Sequence, residues 1–250
     1  METKDLWKGF TLEGSKDEAV FLIHGFTGTC AELYPPAEFL NKAGYTAIVF
    51  FMVGNTTKAD DLKGTTDKDW INSILIACRK ARFQYKKLYV LGLSMGGAIA
   101  LIIDEEEKVK PDGLILYEPC LTIKNKAAYF NKILKVLVPM ISFKLTPLPD
   151  NMDIYLQNPN SYYSSALESL VKISRRALKK LNKVSAPFLC FDSLTDEMIT
   201  FKGIKNLLKV SPSQNKNLHI INDSEHMIQV QSHRQEVFDT TLGFLNTLKN

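Results

Sequence analysis

The chain has 250 residues, of which 45% are hydrophobic and 23% charged, and its formal net charge is +4. These values are typical of globular proteins and exclude general disorder, collagen and coiled coil as descriptions of the whole chain. The length allows one large α/β domain or two small ones, with a core that needs no disulfide or metal.

Short apolar runs rich in branched and aromatic residues predict the strands. They lie at residues 19–23, 45–51, 87–93, 113–117, 187–191 and 217–221. Runs without alternation are typical of strands covered on both faces. Helical patterns are predicted at residues 34–43, 67–82, from about Ser94, near 200–209 and near 230–248, with Thr66 or Asp67 as the N-cap before the second. This alternation predicts an α/β fold with a mostly parallel central sheet flanked by helices, and chemistry at the carboxyl ends of its strands.

Residues 121–185 break the alternation, and no strand is expected there. We expect this stretch to form a helical cap inserted between sheet strands of a core made of residues 1–120 and 186–250, because 65 residues exceed what one crossover needs. The alternative is a pair of crossover helices with a long loop. Apolar side chains of the cap are expected to cover the site, and docking on lipid is the alternative. They are Tyr129, Phe130, Ile133, Leu134, Leu137, Val138, Met140 and Phe143.

Other features bound the cellular context and the partners. The four cysteines show no CxxC spacing and the N-terminus has no apolar h-region, so reduced thiols in a cytoplasmic protein are expected. No run approaches 18 apolar residues, so no stable membrane insertion is expected. The basic cluster from Lys172 to Lys183 lacks interleaved aromatic residues, which favours a solvated helix face over a nucleic-acid site. A homodimer is compatible with the sequence.

The strongest chemical signal is the run Gly92-Leu93-Ser94-Met95-Gly96-Gly97, which follows the strand KLYVL and precedes an apolar helix. A G-x-S-x-G run in this context is typical of a serine on a tight strand-to-helix turn, where glycines avoid Cβ clashes. The helix N-terminus adds positive potential where an oxyanion would form. Ser94 is therefore the predicted nucleophile, and a structural glycine turn is the alternative.

A serine nucleophile needs a base, and the chain has four histidines. His226 follows the strand NLHII and is the predicted general base, with a pKa expected at roughly 6–7. His219 falls inside that strand, His233 is expected on the surface of the last helix, and His24 is expected to brace a turn.

An acid must orient the imidazole of the base. Asp196 follows the strand PFLCF and is the predicted acid, while Asp192 at the end of that strand, Glu197 and Asp223 are alternatives. The run His24-Gly25-Phe26-Thr27-Gly28 follows an earlier strand. Its amide at Phe26, together with the amide of Met95, is predicted to hold an oxyanion.

Across nearly its whole length the sequence resembles the α/β-hydrolase family, and more narrowly bacterial carboxylesterases and monoacylglycerol lipases. The shared motifs are HGFTGT, GYTAIVF, Asp69-Trp70, GLSMGG, TDEMI around Asp196 and SEHMI around His226. The loop after the second strand reads FMVGNTTKADDL, which keeps Gly54 but lacks the histidine of a G-H-G loop found in many relatives.

The resemblance implies a serine hydrolase that cleaves short- to medium-chain carboxylic esters, monoacylglycerols among them, through an acyl-enzyme. It implies Ser94 as nucleophile, Asp196 as acid, His226 as base, and Phe26 and Met95 as amide donors, with no metal or organic cofactor. A thioesterase, an acyltransferase or a peptidase could use the same residues. Outside the enzymes, the alternative is an inactive hydrolase-fold module that only binds a ligand.

Overall fold

A seven-stranded sheet forms the centre of the structure, a computed structural model that describes residues 5–106, 109–130, 137–144 and 147–248. The strands in chain order are β1 (Phe10–Leu12), β2 (Glu18–Ile23), β3 (Thr46–Phe50), β4 (Lys87–Leu93), β5 (Gly113–Tyr117), β6 (Met140–Ser142), β7 (Ser161–Tyr163), β8 (Phe188–Ser193) and β9 (Lys216–Ile221). The central sheet has the order β1-β3-β2-β4-β5-β8-β9. All its neighbours are parallel except β1 and β3. The predicted parallel sheet is confirmed, and β1 is an edge strand too short for the sequence pattern to reveal.

Helices cover both faces of the sheet. They are α1 (Tyr34–Lys42), α2 (Asp67–Gln84), α3 (Met95–Glu105), α4 (Ser164–Lys179), α5 (Phe201–Val210) and α6 (Arg234–Thr247). Buried side chains of α2, α3, α4 and α5 pack on one face, and those of α1 and α6 pack on the other. This double cover explains why the strands read as continuous apolar runs.

The start of α2 shows how local sequence fixes a boundary. Thr66 is the N-cap, because its side chain accepts a hydrogen bond from the amide of Asp69 and the Asp69 carboxylate accepts one from the amide of Thr66. This reciprocal pair satisfies two amides that the first helical turn leaves without partners. The next residue, Trp70, is buried, and its indole N–H donates to the carbonyl of Val53 at 3.0 Å. The helix thereby anchors the loop after β3.

The chain between β5 and β8 differs from the expectation in one respect. The prediction that residues 121–185 contain no strand is wrong, because β6 and β7 pair as a short antiparallel hairpin. Each strand has three residues, too few to show a period in the sequence. Helix α4 packs against α3 and buries Ala166, Val171 and Ile173 in the same cluster as the sheet. It therefore occupies the layer of crossover helices, and the division into core and cap stays a prediction.

Two further expectations concern the cysteines and membrane-spanning helices. All four cysteines, Cys30, Cys78, Cys120 and Cys190, are buried free thiols. Burial raises the pKa of each thiol, so these groups behave as small apolar side chains rather than as nucleophiles. No helix in the described part of the chain is both long enough and apolar enough to cross a membrane.

Candidate active site

Ser94 occupies a strained turn between β4 and α3. Its φ of 52° and ψ of −111° lie in a region that residues with a Cβ rarely adopt. Two hydrogen bonds hold the turn, from the Ser94 amide to the carbonyl of Tyr117 at 2.8 Å and from the Cys120 amide to the carbonyl of Ser94 at 2.9 Å. Such strain persists only where the surroundings determine the geometry, and it is common at functional sites. The turn presents the half-buried Ser94 at the carboxyl edge of the sheet.

Two glycines make this turn sterically possible. A Cβ on Gly92 would lie 2.3 Å from the carbonyl oxygen of Gly96, and a Cβ on Gly96 would lie 2.1 Å from that of Ile23. Both distances are far inside van der Waals contact, so no other residue fits without a shift of the backbone. The glycines of the G-x-S-x-G run therefore let α3 begin directly beside β2.

His226 and Asp196 meet at the same edge. Nδ1 of His226 lies 2.7 Å from Oδ2 of Asp196, while Oδ1 of Asp196 accepts hydrogen bonds from the amides of Met198 at 2.6 Å and Ile199 at 3.0 Å. Burial would raise the pKa of Asp196, but the bond to His226 and these amides hold it below its usual value. The aspartate is thus an ionised acceptor that fixes the orientation of the ring.

The alternative acids have other positions. Asp192 is buried, its Oδ1 has no hydrogen-bond partner among the described residues, and burial raises its pKa to about 6. Glu197 and Asp223 are exposed at the mouth of a cavity. Of the four acids proposed from the sequence, Asp196 is the one that the structure places against His226.

The other three histidines contact groups other than Asp196. His24 is buried, and its Nδ1 lies 2.9 Å from the carbonyl of Gly25; since a carbonyl only accepts, Nδ1 carries the proton. Burial lowers the pKa of His24 to about 4, so the ring stays neutral and braces the turn. His219 pairs with Glu236 at 2.7 Å, and His233 lies at the start of α6.

The predicted oxyanion loop passes beside the serine. A Cβ on Gly25 would lie 3.6 Å from Cβ of Ser94. The next residue, Phe26, packs its ring edge-on against Trp70 and Tyr162, which fixes the loop. Met95 is the first residue of α3 and is buried, so its amide belongs to the first turn, whose amides have no partner within the helix. Phe26 and Met95 remain the predicted amide donors.

Glu118 is a residue of the site that the sequence analysis missed. It follows β5, is fully buried and has a φ of 46°. Its Oε2 accepts hydrogen bonds from the amides of Met227 at 2.9 Å and Ile228 at 3.5 Å, and lies 3.5 Å from Nδ1 of His226. Burial is the main reason that the pKa of Glu118 is raised to about 8. Its place at the carboxyl end of the strand beside β4 is the signal that could have revealed it.

The two carboxylates change the expected titration of His226. Burial alone would lower the pKa of this ring, but Glu118 and Asp196 outweigh it and raise the pKa to about 9. The pKa of roughly 6–7 expected for His226 from the sequence is therefore too low.

Glu32 is a second residue that the sequence analysis missed. It is buried beside the oxyanion loop, and its Oε1 accepts a hydrogen bond from the amide of Gly25 at 2.7 Å. A Cβ on Gly28 would lie 2.3 Å from this oxygen, so any larger residue at that position would displace the carboxyl group. Burial raises the pKa of Glu32 to about 7. No motif in the sequence marks it.

The same cluster contains the candidate ligands for a metal ion. Oxygen or nitrogen atoms of Glu118, Asp196 and His226 lie within 4.8 Å of one another, and no other group of such side chains meets this condition in the described ranges. The 2.7 Å separation of His226 and Asp196 is that of a hydrogen bond, so a metal would have to replace the proton between them. The observed arrangement suits proton transfer.

A cavity of about 610 Å³ opens on His226 and Phe26. This volume lies in the range of small-molecule sites. Its apolar lining comes from Phe26, Phe143, Leu148, Leu156, Met198 and Met227, and its polar lining includes Glu32, Lys144, Asn158 and Thr195. Five of these residues, Phe143, Lys144, Leu148, Leu156 and Asn158, belong to the segment between β5 and α4. That segment therefore forms one wall of the cavity.

The apolar residues expected to cover the site behave differently from one another. Phe143 lines the cavity, whereas Phe130, Leu137, Val138 and Met140 are exposed. The hydroxyl of Tyr129 accepts a hydrogen bond from the amide of Ile123. Ile133 and Leu134 lie outside the described residues.

The sheet order with its serine turn is that of an α/β-hydrolase, which confirms the predicted fold class. Residues 14–232 match the family model described as serine aminopeptidase, S33. The chain belongs to this family.

Individual relatives agree with that assignment. The chain is 27% identical to a thermostable monoacylglycerol lipase of Bacillus sp. (strain H-257), over 90% of this chain and 89% of the relative. It is 22% identical to a carboxylesterase of Bacillus subtilis (strain 168), over 96% and 97%. A solved structure of the metagenome-derived lipolytic enzymes LipS and LipT has a TM-score of 0.89 at 20% identity, over 97% of this chain and 98% of that one. The predicted likeness to carboxylesterases and monoacylglycerol lipases is confirmed.

Proposed function

We propose that the protein is a serine hydrolase that cleaves carboxylic esters through an acyl-enzyme. The hydrogen-bonded pair of His226 and Asp196, at the same sheet edge as the strained Ser94, is the observation that carries the proposal. Nothing in this arrangement calls for a cofactor. The names of the relatives, a monoacylglycerol lipase and a carboxylesterase, support an ester substrate.

The reaction follows from the roles of the groups. His226 removes the proton of Ser94, and the alkoxide attacks the ester carbonyl. The amides of Phe26 and Met95 bind the oxyanion of the tetrahedral intermediate, and the alcohol leaves with a proton from His226. Water then attacks the acyl-enzyme with His226 again as base, which releases the acid and restores Ser94. The bond to Asp196 occupies Nδ1 of His226, so Nε2 is the ring atom left to exchange the proton with the serine in both halves.

The cavity supports an apolar acyl chain as the part of the substrate that is recognised. Six apolar side chains line it, and burial of each methylene stabilises a bound chain by about 0.8 kcal/mol at most. We infer that short- to medium-chain esters are the substrates, monoacylglycerols among them. The four buried, free thiols support the reducing cytoplasm as the location.

The described residues of the stretch 121–163 that line the cavity belong to the proposed cap. These residues precede α4, which packs in the helical layer, so we propose a cap that ends before α4 rather than at residue 185. The hydroxyl of Tyr163 donates to the carboxylate of Asp60 at 2.6 Å and joins the end of the cap to the loop after β3.

Replacement of Ser94 by alanine tests the proposal. Turnover of p-nitrophenyl butyrate should fall by about 10⁶-fold, as for other triad serines, and labelling by a fluorophosphonate should disappear. Ser165→Ala is the matched control, because Ser165 is exposed at the start of α4 and outside the cavity. It should label and turn over substrate as the unaltered protein does. Retention of more than a tenth of the activity in Ser94→Ala would disprove the proposal.

An aminopeptidase is the second candidate, and the acidic lining favours it. Glu32, Glu197, Asp223 and Glu225 line the cavity with one lysine, Lys144, and carboxylates could bind the free amino group of a peptide. The family description points the same way. Amino-acid p-nitroanilides assayed beside p-nitrophenyl esters separate the two activities, and we expect the esters to be the better substrates.

A further inference from the structure

The position of Glu118 is energetically unfavourable for a carboxylate. The side chain is fully buried, and Oε1 has no hydrogen-bond partner among the residues that the structure describes. The backbone has a positive φ, which adds strain for a residue with a Cβ. Burial of an unpaired carboxylate is strongly unfavourable, so the group either keeps its proton or ionises only opposite a positive charge.

His226 is the group that can supply this charge. Oε2 of Glu118 lies 3.5 Å from Nδ1 of His226, the same ring nitrogen that approaches Asp196. The same oxygen binds the amides of Met227 and Ile228, which directly follow the histidine. One carboxylate thus contacts both the ring and the backbone that carries it.

Other charged groups face this ring from the neighbouring elements. Asp192 and Asp196 approach from the end of β8, and Glu32 approaches from the segment after β2. Lys124 donates its Nζ to the carbonyl of Asp196 at 3.1 Å. Within the described ranges, Glu118 and Asp196 are the two carboxylates within 4 Å of the ring.

We propose that Glu118 is a positioning residue that holds the His226 loop in place and acts as a second carboxylate opposite the charged ring. This inference rests on the proposed function, in which His226 becomes positively charged when it takes the proton of Ser94. Glu118 stabilises the imidazolium together with Asp196. When Asp196 is removed, Glu118 remains to orient the ring and to share its charge.

Glu118→Gln is the first test, because glutamine keeps an oxygen that can accept from Met227 and Ile228 but removes the negative charge. The apparent pKa in the pH profile of kcat/KM for p-nitrophenyl butyrate should fall by about one pH unit or more, the usual effect of losing an opposite charge at this range. Glu105→Gln is the matched control. Glu105 is a buried glutamate at the end of α3 without hydrogen-bond partners in the described part of the chain, and its substitution should leave the profile unchanged. An unchanged profile in folded Glu118→Gln would overturn the proposal.

A double substitution tests whether Glu118 can take over the role of Asp196. Glu118→Gln should lower kcat only a few-fold in the unaltered background, but by tenfold or more in the Asp196→Asn background. Equal losses in both backgrounds would show that Glu118 does not stand in for Asp196.

A measurement on Asp196→Asn alone keeps the proposal testable if Glu118→Gln does not fold. The pKa of His226 in this variant, followed by NMR, should stay above the ordinary value of about 6.5 because Glu118 remains beside the ring. A value below that, as burial alone would give, would overturn the proposal. Ser94→Ala separates this proposal from the proposed function. If Ser94→Ala loses activity but Glu118→Gln leaves the pH profile unchanged, the role of Glu118 is refuted and the hydrolase function stands.

Discussion

Asp196 and His226 are 30 residues apart in the chain, and a 2.7 Å hydrogen bond joins their side chains. The bond exists because β8 and β9 are parallel neighbours, paired from Phe188 with Lys216 to Ser193 with Ile221. Loops that follow parallel neighbours meet at one edge of a sheet. The register of two strands therefore determines which acid reaches the histidine.

Asp196→Asn should reduce kcat severely, by up to about 10⁴-fold, because the amide favours the wrong tautomer of His226. Steady-state hydrolysis of p-nitrophenyl butyrate measures the loss. Asp192→Asn is the matched control and should lose less than about tenfold, since Asp192 makes no hydrogen bond to the ring. The reverse ranking would transfer the role of the acid to Asp192.

The pH dependence of kcat/KM should lie on the alkaline side. Neutral His226 is the base, and its pKa is raised to about 9, so the active form decreases as the pH falls below that value. The rate constant should rise about tenfold per pH unit through the neutral range and level off near pH 9. Rates for p-nitrophenyl butyrate between pH 5 and 10, corrected for spontaneous hydrolysis, check this. A plateau already reached at pH 7 would contradict the raised pKa of His226.

The acyl-chain preference should show a maximum. Extension of the chain should raise kcat/KM by up to about fourfold per carbon while methylenes enter the cavity, and lower it once the cavity is full. We expect the optimum between butyrate and octanoate, with monoacylglycerols of similar length also hydrolysed. A series of p-nitrophenyl esters from acetate to palmitate measures the curve. A steady increase up to palmitate, or activity only above the solubility limit, would indicate a lipase that acts at an interface.

Phe143→Ala should move that optimum to longer chains. The ring of Phe143 lines the cavity and packs against Tyr162 at 5.9 Å, so its removal leaves space for additional carbons. The same ester series measures the change. Phe83→Ala is the control, because Phe83 is 90% exposed on α2. It should leave the curve in place, and an identical shift in both variants would mean that Phe143 does not bound the chain.

Glu105 should make the stability of the fold depend on pH. Burial raises the pKa of this carboxyl to about 8, whereas in the unfolded chain it is 4.5. The folded state therefore keeps a proton that the unfolded state releases, and stability falls as the pH rises from about 4.5 to 8. Glu105→Gln lacks this contribution.

Thermal unfolding of the two proteins should give similar midpoints near pH 4. The glutamine variant should unfold several °C higher at pH 8, given about 2–4 °C per kcal/mol for a chain of this size. A difference between the proteins that does not change with pH would contradict the raised pKa.

The six strands of five or more residues and the core helices were predictable because each carries a local pattern. The G-x-S-x-G run predicts its own turn, and an N-cap at Thr66 or Asp67 predicts the start of α2. Asp196 and His226 could be selected because each follows a recognisable strand. These features depend on neighbours in sequence, or on the general rule that parallel strands end at one edge.

Glu118 also follows a recognisable strand, but its contacts could not be predicted in this way, and Glu32 carries no such signal. Nothing near Glu118 in the sequence states that its carboxylate reaches the backbone of Met227, more than a hundred residues later. Glu32 lies in an ordinary short helical segment after the HGFTG loop. The raised pKa of His226 depends on Glu118, so it was missed for the same reason. Long-range contacts of buried charges produce no periodic pattern in the sequence.

Strands β5 and β8 pair from Leu114 with Phe188 to Tyr117 with Phe191, although the whole cap and α4 lie between them in sequence. The sheet is thus continuous across the point where residues 121–163 depart from it. The pairing of β5 with β8 does not depend on the length of this stretch, although Thr122, Ile123 and Lys124 at its start contact residues 196–200. One part of the cavity wall therefore lies on a stretch of sequence that carries none of Ser94, Glu118 and Asp196.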